Sequence, residues 1–212
     1  MSPDILQFKT PTILFGNGVT PTHPAVLKKI SEANSILCVD GGTDKLEKIG
    51  YYPDLILGDL DSLIYDPGKY ECDLIHLDDQ SRTDLEKSLE WCFIRGINDL
   101  SLVGFSGERD DHTVVVLQTL LSYAHRMNLI FYSNYSTVQC VKDDASFNTF
   151  PGQIISIIHP NENIKITTQG LKFPLNNSGL NSPGHGISNV AEGDQCSIRS
   201  TEWVWVFFNF AE

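Results

Sequence analysis

The sequence predicts a two-part α/β protein. A three-layer α/β/α domain with a mostly parallel sheet is expected over residues 1–138, and an antiparallel β-sandwich domain over 139–212. From about residue 34 to 135, short apolar runs alternate with helical patterns, the mark of parallel strands joined by crossover helices. After about residue 140, short β-like runs are set off by proline and glycine instead. With 212 residues, 41% of them hydrophobic and 20% charged, the chain carries enough apolar material to bury a core in either part.

Taken in order, Ile13-Leu14-Phe15 offers a strand near the N-terminus. Strands are then expected at 36–39, 55–57, 74–77, 100–103 and 129–132, each a compact apolar run. Between them, Thr83-Asp84-Leu85-Glu86 fits a capping box, followed by Leu85, Leu89, Cys92 and Phe93 at helical spacing. A second helix is expected with Asp111 as its cap and Val114, Leu117, Leu120, Leu121 and Ala124 as its apolar face. In the C-terminal part, the runs 153–158, 164–168, 196–199 and 203–210 read as strands. The last of them, through Trp203-Val204-Trp205-Val206-Phe207-Phe208, is apolar on both faces and needs cover on both, which favours a homodimer.

A formal charge of -12, from 27 acidic against 15 basic residues, argues against a surface made for nucleic acid. The five cysteines show no C-x-x-C pair and no zinc-like spacing, so they read as reduced thiols. No run approaches the roughly 20 apolar residues of a membrane span. The first thirty residues lack the apolar stretch of a signal peptide, so the expected address is the cytoplasm.

The acidic residues fall in a pattern relative to the expected strands. Val39 leads into Asp40-Gly41-Gly42, Leu57 into Gly58-Asp59-Leu60-Asp61-Ser62, and Leu77 into Asp78-Asp79-Gln80. Val103 leads into Gly104-Phe105-Ser106-Gly107-Glu108-Arg109-Asp110-Asp111-His112. Ligands of open α/β sheets bind beyond the carboxyl ends of the strands, so four separated loops are expected to converge there. Crowded carboxylates call for a counter-charge, and Mg²⁺, which takes oxygen ligands and bridges to phosphates, suits them. The glycines let backbone approach a bulky anion, Arg109 offers a fork for phosphate oxygens, and Lys87 lies one helical turn from Asp84. No G-x-x-x-x-G-K-[ST] string occurs, which excludes a Walker-type phosphate cradle, and Gly16-Asn17-Gly18 does not continue as a dinucleotide fingerprint.

In order along the chain, these motifs resemble the thiamine pyrophosphokinase family. The matching strings are Asp40-Gly41-Gly42, Pro53-Asp54-Leu55-Ile56-Leu57-Gly58-Asp59-Leu60-Asp61-Ser62 and Asp79-Gln80-Ser81-Arg82-Thr83-Asp84-Leu85-Glu86-Lys87. They continue with Gly107-Glu108-Arg109-Asp110-Asp111-His112, Gly170-Leu171-Lys172-Phe173-Pro174-Leu175 and Ser188-Asn189. The resemblance implies a homodimer with its active site between subunits, and transfer of pyrophosphate from ATP to the hydroxyl of thiamine. It implies Mg²⁺ and phosphates held by Asp40, Asp59, Asp61 and Asp84, with Asp61, Asp84, Arg109 and Lys87 in catalytic roles. Gly41, Gly42, Ser62, Gln80, Thr83, Gly107, Asp111 and His112 would complete the ATP site. Phe173, Ser188 and Asn189 would face thiamine. The chain departs from the family pattern at Phe173, where tryptophan is common, at Glu108, which replaces a glycine, and at Thr43-Asp44.

Two other readings compete. Asp59-Leu60-Asp61-Ser62 superficially matches the nucleophile motif of haloacid-dehalogenase-like phosphatases, although that motif belongs on a first strand. A sensor that binds nucleotide or thiamine without turnover is the other.

Overall fold

The computed structural model describes residues 8–61, 68, 70–159 and 163–211. The chain divides into two compact units, one of Met1–Thr119 with Arg126–Asn134, the other of Leu120–His125 with Tyr135–Glu212. Through the first, β1 (Thr12–Phe15), α1 (Pro24–Ser31), β2 (Ser35–Val39), α2 (Gly42–Lys48) and β3 (Leu55–Gly58) follow one another. β4 (Asp73–His76), α3 (Asp84–Ile94), β5 (Asp99–Val103), α4 (Asp110–Tyr123, counted with the second unit from Leu120 on) and β6 (Asn128–Tyr132) come next.

The strands run parallel in the order β6-β5-β1-β2-β3-β4. The five expected strands stand within a residue or so of their places, and β1 is more than an addition at the N-terminus. It lies between β2 and β5, and Ile13, Leu14 and Phe15 are fully buried. The chain runs outward from β1 to β4, then returns to place β5 on the other side of β1. That reversal makes β1 and β5 the switch point of the sheet, where α/β folds place ligands. Register aligns Phe15 with Cys38 and with Val103, Val39 with Leu57, and Gly58 with His76, so the loops beyond these ends leave the sheet at one level.

Local chemistry sets the helix starts. Thr83 caps α3 as expected: its hydroxyl accepts from the Glu86 amide, and the Glu86 carboxylate accepts from the Thr83 amide at 2.9 Å. Pro24 opens α1, where its missing N–H costs nothing, and His23 Nδ1 accepts from the Ala25 amide. The α4 expectation needs correcting. Asp111 lies inside the first turn, and its carboxylate engages the Arg109 side chain and the His112 amide instead of capping the helix. The buried residues of α4 are Val116, Thr119, Leu120 and Tyr123, while Val114 is exposed. A valine triplet at 114–116 left the helical phase ambiguous.

The second unit contains β7 (Ser136–Asn148), β8 (Ile154–Ile158), β9 (Ile166–Gln169), β10 (Asn189–Val190) and β11 (Gln195–Asn209). All its pairings are antiparallel, in the order β10-β8-β11-β7, with β9 also on β11. The two runs expected at 196–199 and 203–210 are one strand with a register shift between Ser200 and Val204. That irregularity lets β11 pair with β9 at one end and with β8 at the other. The unit's core gathers Ile155, Ile157, Ile164, Ile166, Leu171, Ile198, Val204, Val206 and Phe208.

Candidate active site

Asp40 immediately follows β2 and turns the chain with φ +40, a left-handed conformation that aspartate tolerates better than most residues. Its amide donates to Leu57 O of β3, and its Oδ1 accepts from the Leu60 amide at 2.9 Å, joining the β2 and β3 loops. The side chain is 2% exposed and its Oδ2 has no hydrogen-bond partner. Burial, with the nearby charges of Asp84 and Asp59, pushes its carboxyl up to about 6. A buried carboxylate oxygen without a donor is costly, and a cation is one partner that would satisfy it.

Gly58 makes this placement possible. A Cβ at that residue, whose φ is +149, would run into both oxygens of the Asp40 carboxylate. Gly58→Ala is therefore expected to displace Asp40 and lower stability by about 2 kcal/mol, read as a shift in the urea midpoint. An unchanged midpoint would mean that the carboxylate swings away without resistance.

Lys87, on the first turns of α3, enters the same place. It is 6% exposed and pairs with Asp84 at 2.5 Å and Asp59 at 3.7 Å. Burial alone would lower its ammonium, but Asp84, then Asp59 and Asp40, hold it above the usual lysine range. Asp59 is held below the usual carboxylate range. Burial opposes that shift, and the amide and side chain of Asp61, the Lys87 ammonium and the Gln80 side chain outweigh it. The structure thus brings Asp40, Asp59, Asp61, Asp84, Gln80 and Lys87 together beyond β2 and β3. Among the described residues no group of three or more His, Cys, Asp or Glu side chains stands arranged as a ready metal centre. The ammonium of Lys87 sits between two of the carboxylates. The donor set nonetheless fits Mg²⁺: it is all oxygen, and the buried Oδ2 of Asp40 lacks a partner.

The glycine loops beside this pocket pack backbone on backbone. Gly41 precedes α2 as its cap residue, and a Cβ at Gly42 would lie 2.8 Å from Gly16 backbone atoms. Gly16 N donates to Val103 O, Gly18 N to Gly104 O and Val19 N to Ser106 O, which binds the β1 loop to the β5 loop. Gly107, at φ +97, lies against Val19. Arg109 is exposed and forms a two-pronged pair with Asp111, at 3.0 and 2.5 Å, which holds Asp111 below its usual range. His112 is exposed beside it. The Thr83 hydroxyl is engaged in its capping box. Ser62 lies outside the described residues. Sequence reasoning missed Lys45, whose Nζ reaches Asn17 O, Gly18 O and Glu108 Oε1. Its only signal was its position four residues after Gly41 in a short helix.

In the second unit, Phe173 is 61% exposed, an unusual state for an aromatic whose main chain is pinned. Asn189 does the pinning: its Oδ1 accepts from the Phe173 amide at 3.0 Å and its Nδ2 donates to Phe173 O at 2.7 Å. The same Oδ1 also accepts from Val190 N. Lys172 Nζ lies 5.6 Å from the centre of the Phe173 ring. Ser188 adopts φ +58, with its amide donating to Ser156 Oγ. Phe173 and Asn189 are thus joined directly, and Ser188 stands next to them in the chain.

Two family models match the chain: "Thiamin pyrophosphokinase, catalytic domain" over residues 26–131 and "Thiamin pyrophosphokinase, vitamin B1 binding domain" over 137–205. Thiamin pyrophosphokinase 1 of Caenorhabditis elegans is 30% identical over 103 residues, a stretch covering 44% of this chain and 42% of that protein. The chain therefore spans less than half the length of that relative. The crystal structure of thiamine pyrophosphokinase from Bacillus subtilis is similar with a TM-score of 0.78 at 22% identity, covering 95% of this chain and 98% of that one. Thiamin pyrophosphokinase from Candida albicans gives a TM-score of 0.80 at 15% identity, covering 94% and 88%. These two likenesses bear on the fold.

Proposed function

The chain belongs to the thiamin pyrophosphokinase family, and on that premise we propose that it transfers pyrophosphate from ATP to the hydroxyl of thiamine, giving thiamine diphosphate and AMP. The observation that supports the residue assignment is the grouping of Asp40, Asp59 and Asp84 around Lys87, with Asp61 against Asp59, inside the stretch matched by the catalytic-domain model.

In the reaction the hydroxyl oxygen of thiamine bonds to the β-phosphorus of ATP, and the bond from that phosphorus to the α,β-bridging oxygen breaks, releasing AMP. No covalent enzyme intermediate is needed, so the protein's task is to position the reactants and neutralise charge. Asp40, Asp59, Asp61 and Asp84 would hold Mg²⁺. When bound, that ion neutralises phosphate charge and orients the pyrophosphoryl group. Lys87 supplies a second positive charge from within the pocket. Arg109, released from Asp111, offers a planar fork to phosphate oxygens at the helix start. Gly41, Gly42 and Gly107 keep the rim free of side chains, Gln80 orients Asp59, and Thr83 fixes the helix that carries Asp84 and Lys87. Ser62 and His112 complete the nucleotide side. Phe173 presents a flat apolar face for the rings of thiamine, with Ser188 and Asn189 setting its position. The first unit is the ATP and metal domain in this reading, and the second the thiamine domain. A homodimer in the cytoplasm belongs to this reading as what the family resemblance implies, since Val204, Trp205, Val206 and Phe208 are already buried within the chain itself. No helix among the described residues is long and apolar enough to cross a membrane.

The phosphatase alternative loses its footing because Asp59 and Asp61 follow β3, the third strand of the chain, and because the matched family is a transferase family. The sensor reading has no observation in its favour. Incubation of the protein with ATP, Mg²⁺ and thiamine is expected to yield AMP and thiamine diphosphate in equal amounts. ADP, free phosphate or a thiamine monophosphate in their place would overturn the assignment.

A further inference from the structure

We infer that Lys45 is a positioning residue for the nucleotide half of the reaction, holding the loop that carries Arg109 in fixed relation to the helix that follows Asp40. The inference rests on the transfer reading above. An ammonium has three N–H donors, and Lys45 Nζ has three acceptors: Asn17 O at 2.7 Å, Gly18 O at 2.9 Å and Glu108 Oε1 at 2.5 Å. These acceptors come from two loops, one between β1 and α1 and the other between β5 and α4. The lysine itself stands on α2, the helix that opens two residues after Asp40. One side chain thus ties together the three segments that leave the sheet around its switch point.

Two features set this contact apart from an ordinary surface ion pair, which contributes little. The Lys45 side chain is only 23% exposed, and two of its three partners are main-chain carbonyls held in place by neighbouring backbone bonds. The β1 loop is already bound to the β5 loop through the Gly16, Gly18 and Val19 amides, so Lys45 adds the third corner and leaves the assembly little freedom. Glu108 directly precedes Arg109, whose guanidinium is paired with the exposed Asp111. Holding Glu108 therefore limits where Arg109 can begin its reach. Glu108 is also a departure from the glycine of the family pattern. This chain has placed a charged partner for Lys45 where backbone flexibility would otherwise be found.

The test compares the parent protein with Lys45→Met, Lys45→Arg and Glu108→Gln. Lys45→Met is expected to raise KM for ATP about tenfold, the loss of a charge-assisted tie, with KM for thiamine and Tm nearly unchanged. Lys45→Arg is expected to recover most of that loss, because it can still donate to carbonyls and carboxylate, and Glu108→Gln to give a smaller rise of about threefold. Amide exchange at Gly18 and Val19 is expected to quicken in Lys45→Met. An unchanged KM for ATP in folded Lys45→Met would overturn the inference. So would a joint fall of Tm and of both substrate affinities that arginine does not rescue. If the parent protein yields no AMP, the transfer reading fails by itself, and the exchange experiment decides the strap: faster exchange in Lys45→Met supports it, and unchanged exchange overturns it.

Discussion

Asp40→Asn is expected to lower turnover about a thousandfold while leaving the thermal midpoint unchanged or higher. The two effects share one cause. Asparagine adopts the φ of +40 as readily as aspartate and keeps an oxygen for the Leu60 amide, so the loop geometry survives. The substitution removes a buried negative charge beside Asp59 and Asp84, which the folded protein tolerates only at a cost. In the proposed reaction the charge it removes is also one that would hold a cation against the pyrophosphoryl group. Calorimetry and steady-state kinetics on the same preparation separate the two quantities. A midpoint several degrees below the parent would show that the carboxylate serves the fold, and near-normal turnover would remove Asp40 from the site.

Lys87→Met is expected to lose at least a hundredfold in turnover and about 2 kcal/mol in stability. Breaking a buried ion pair by deleting one partner commonly costs more than that, because the other charge is stranded. Here Asp84 retains solvent on one side, with its side chain 44% exposed, so the stranded charge is partly rehydrated and the loss falls at the lower end. Methionine keeps an unbranched apolar stem out to the ε position and lacks only the ammonium, which isolates the charge from the packing. Urea unfolding gives the stability term and product formation the catalytic one. A variant as stable as the parent would mean that the acidic neighbours repel one another less than their spacing implies.

Much of the candidate site was legible as a cluster because its signals are local. A capping box needs only Thr83 and Glu86, and an acid placed just past an apolar run needs only a strand boundary to be read. The missed features depend on partners distant in sequence. Ile13-Leu14-Phe15 looks like any short apolar run, and only pairing with both Ile36 and Ser101 makes it central. β7 escaped notice because its second half, Lys142-Asp143-Asp144-Ala145-Ser146, has the composition of a solvated loop and becomes a strand through its ladder with β11. Ser200-Thr201-Glu202 read as a break between two strands, whereas the backbone passes through it as a bulge. Asn189 stands out in the sequence only through its motif, and its partner, the main chain of Phe173, lies 16 residues away where no spacing rule reveals it.

The long ladder between β7 and β11 also governs how the second unit can assemble. Its register joins Asn148 to Gln195 at one end and Ser136 to Asn209 at the other, so it closes loops of roughly 50 to 70 residues before a single rung forms. β8 and β9 both need β11 as a template, so neither can settle beforehand. High contact order of this kind slows folding, and apolar side chains such as Val206 and Phe208 stay uncovered while the ladder is incomplete. The vitamin-binding half of the family architecture should therefore be the slow step in maturation, and the half most dependent on chaperone protection at elevated temperature.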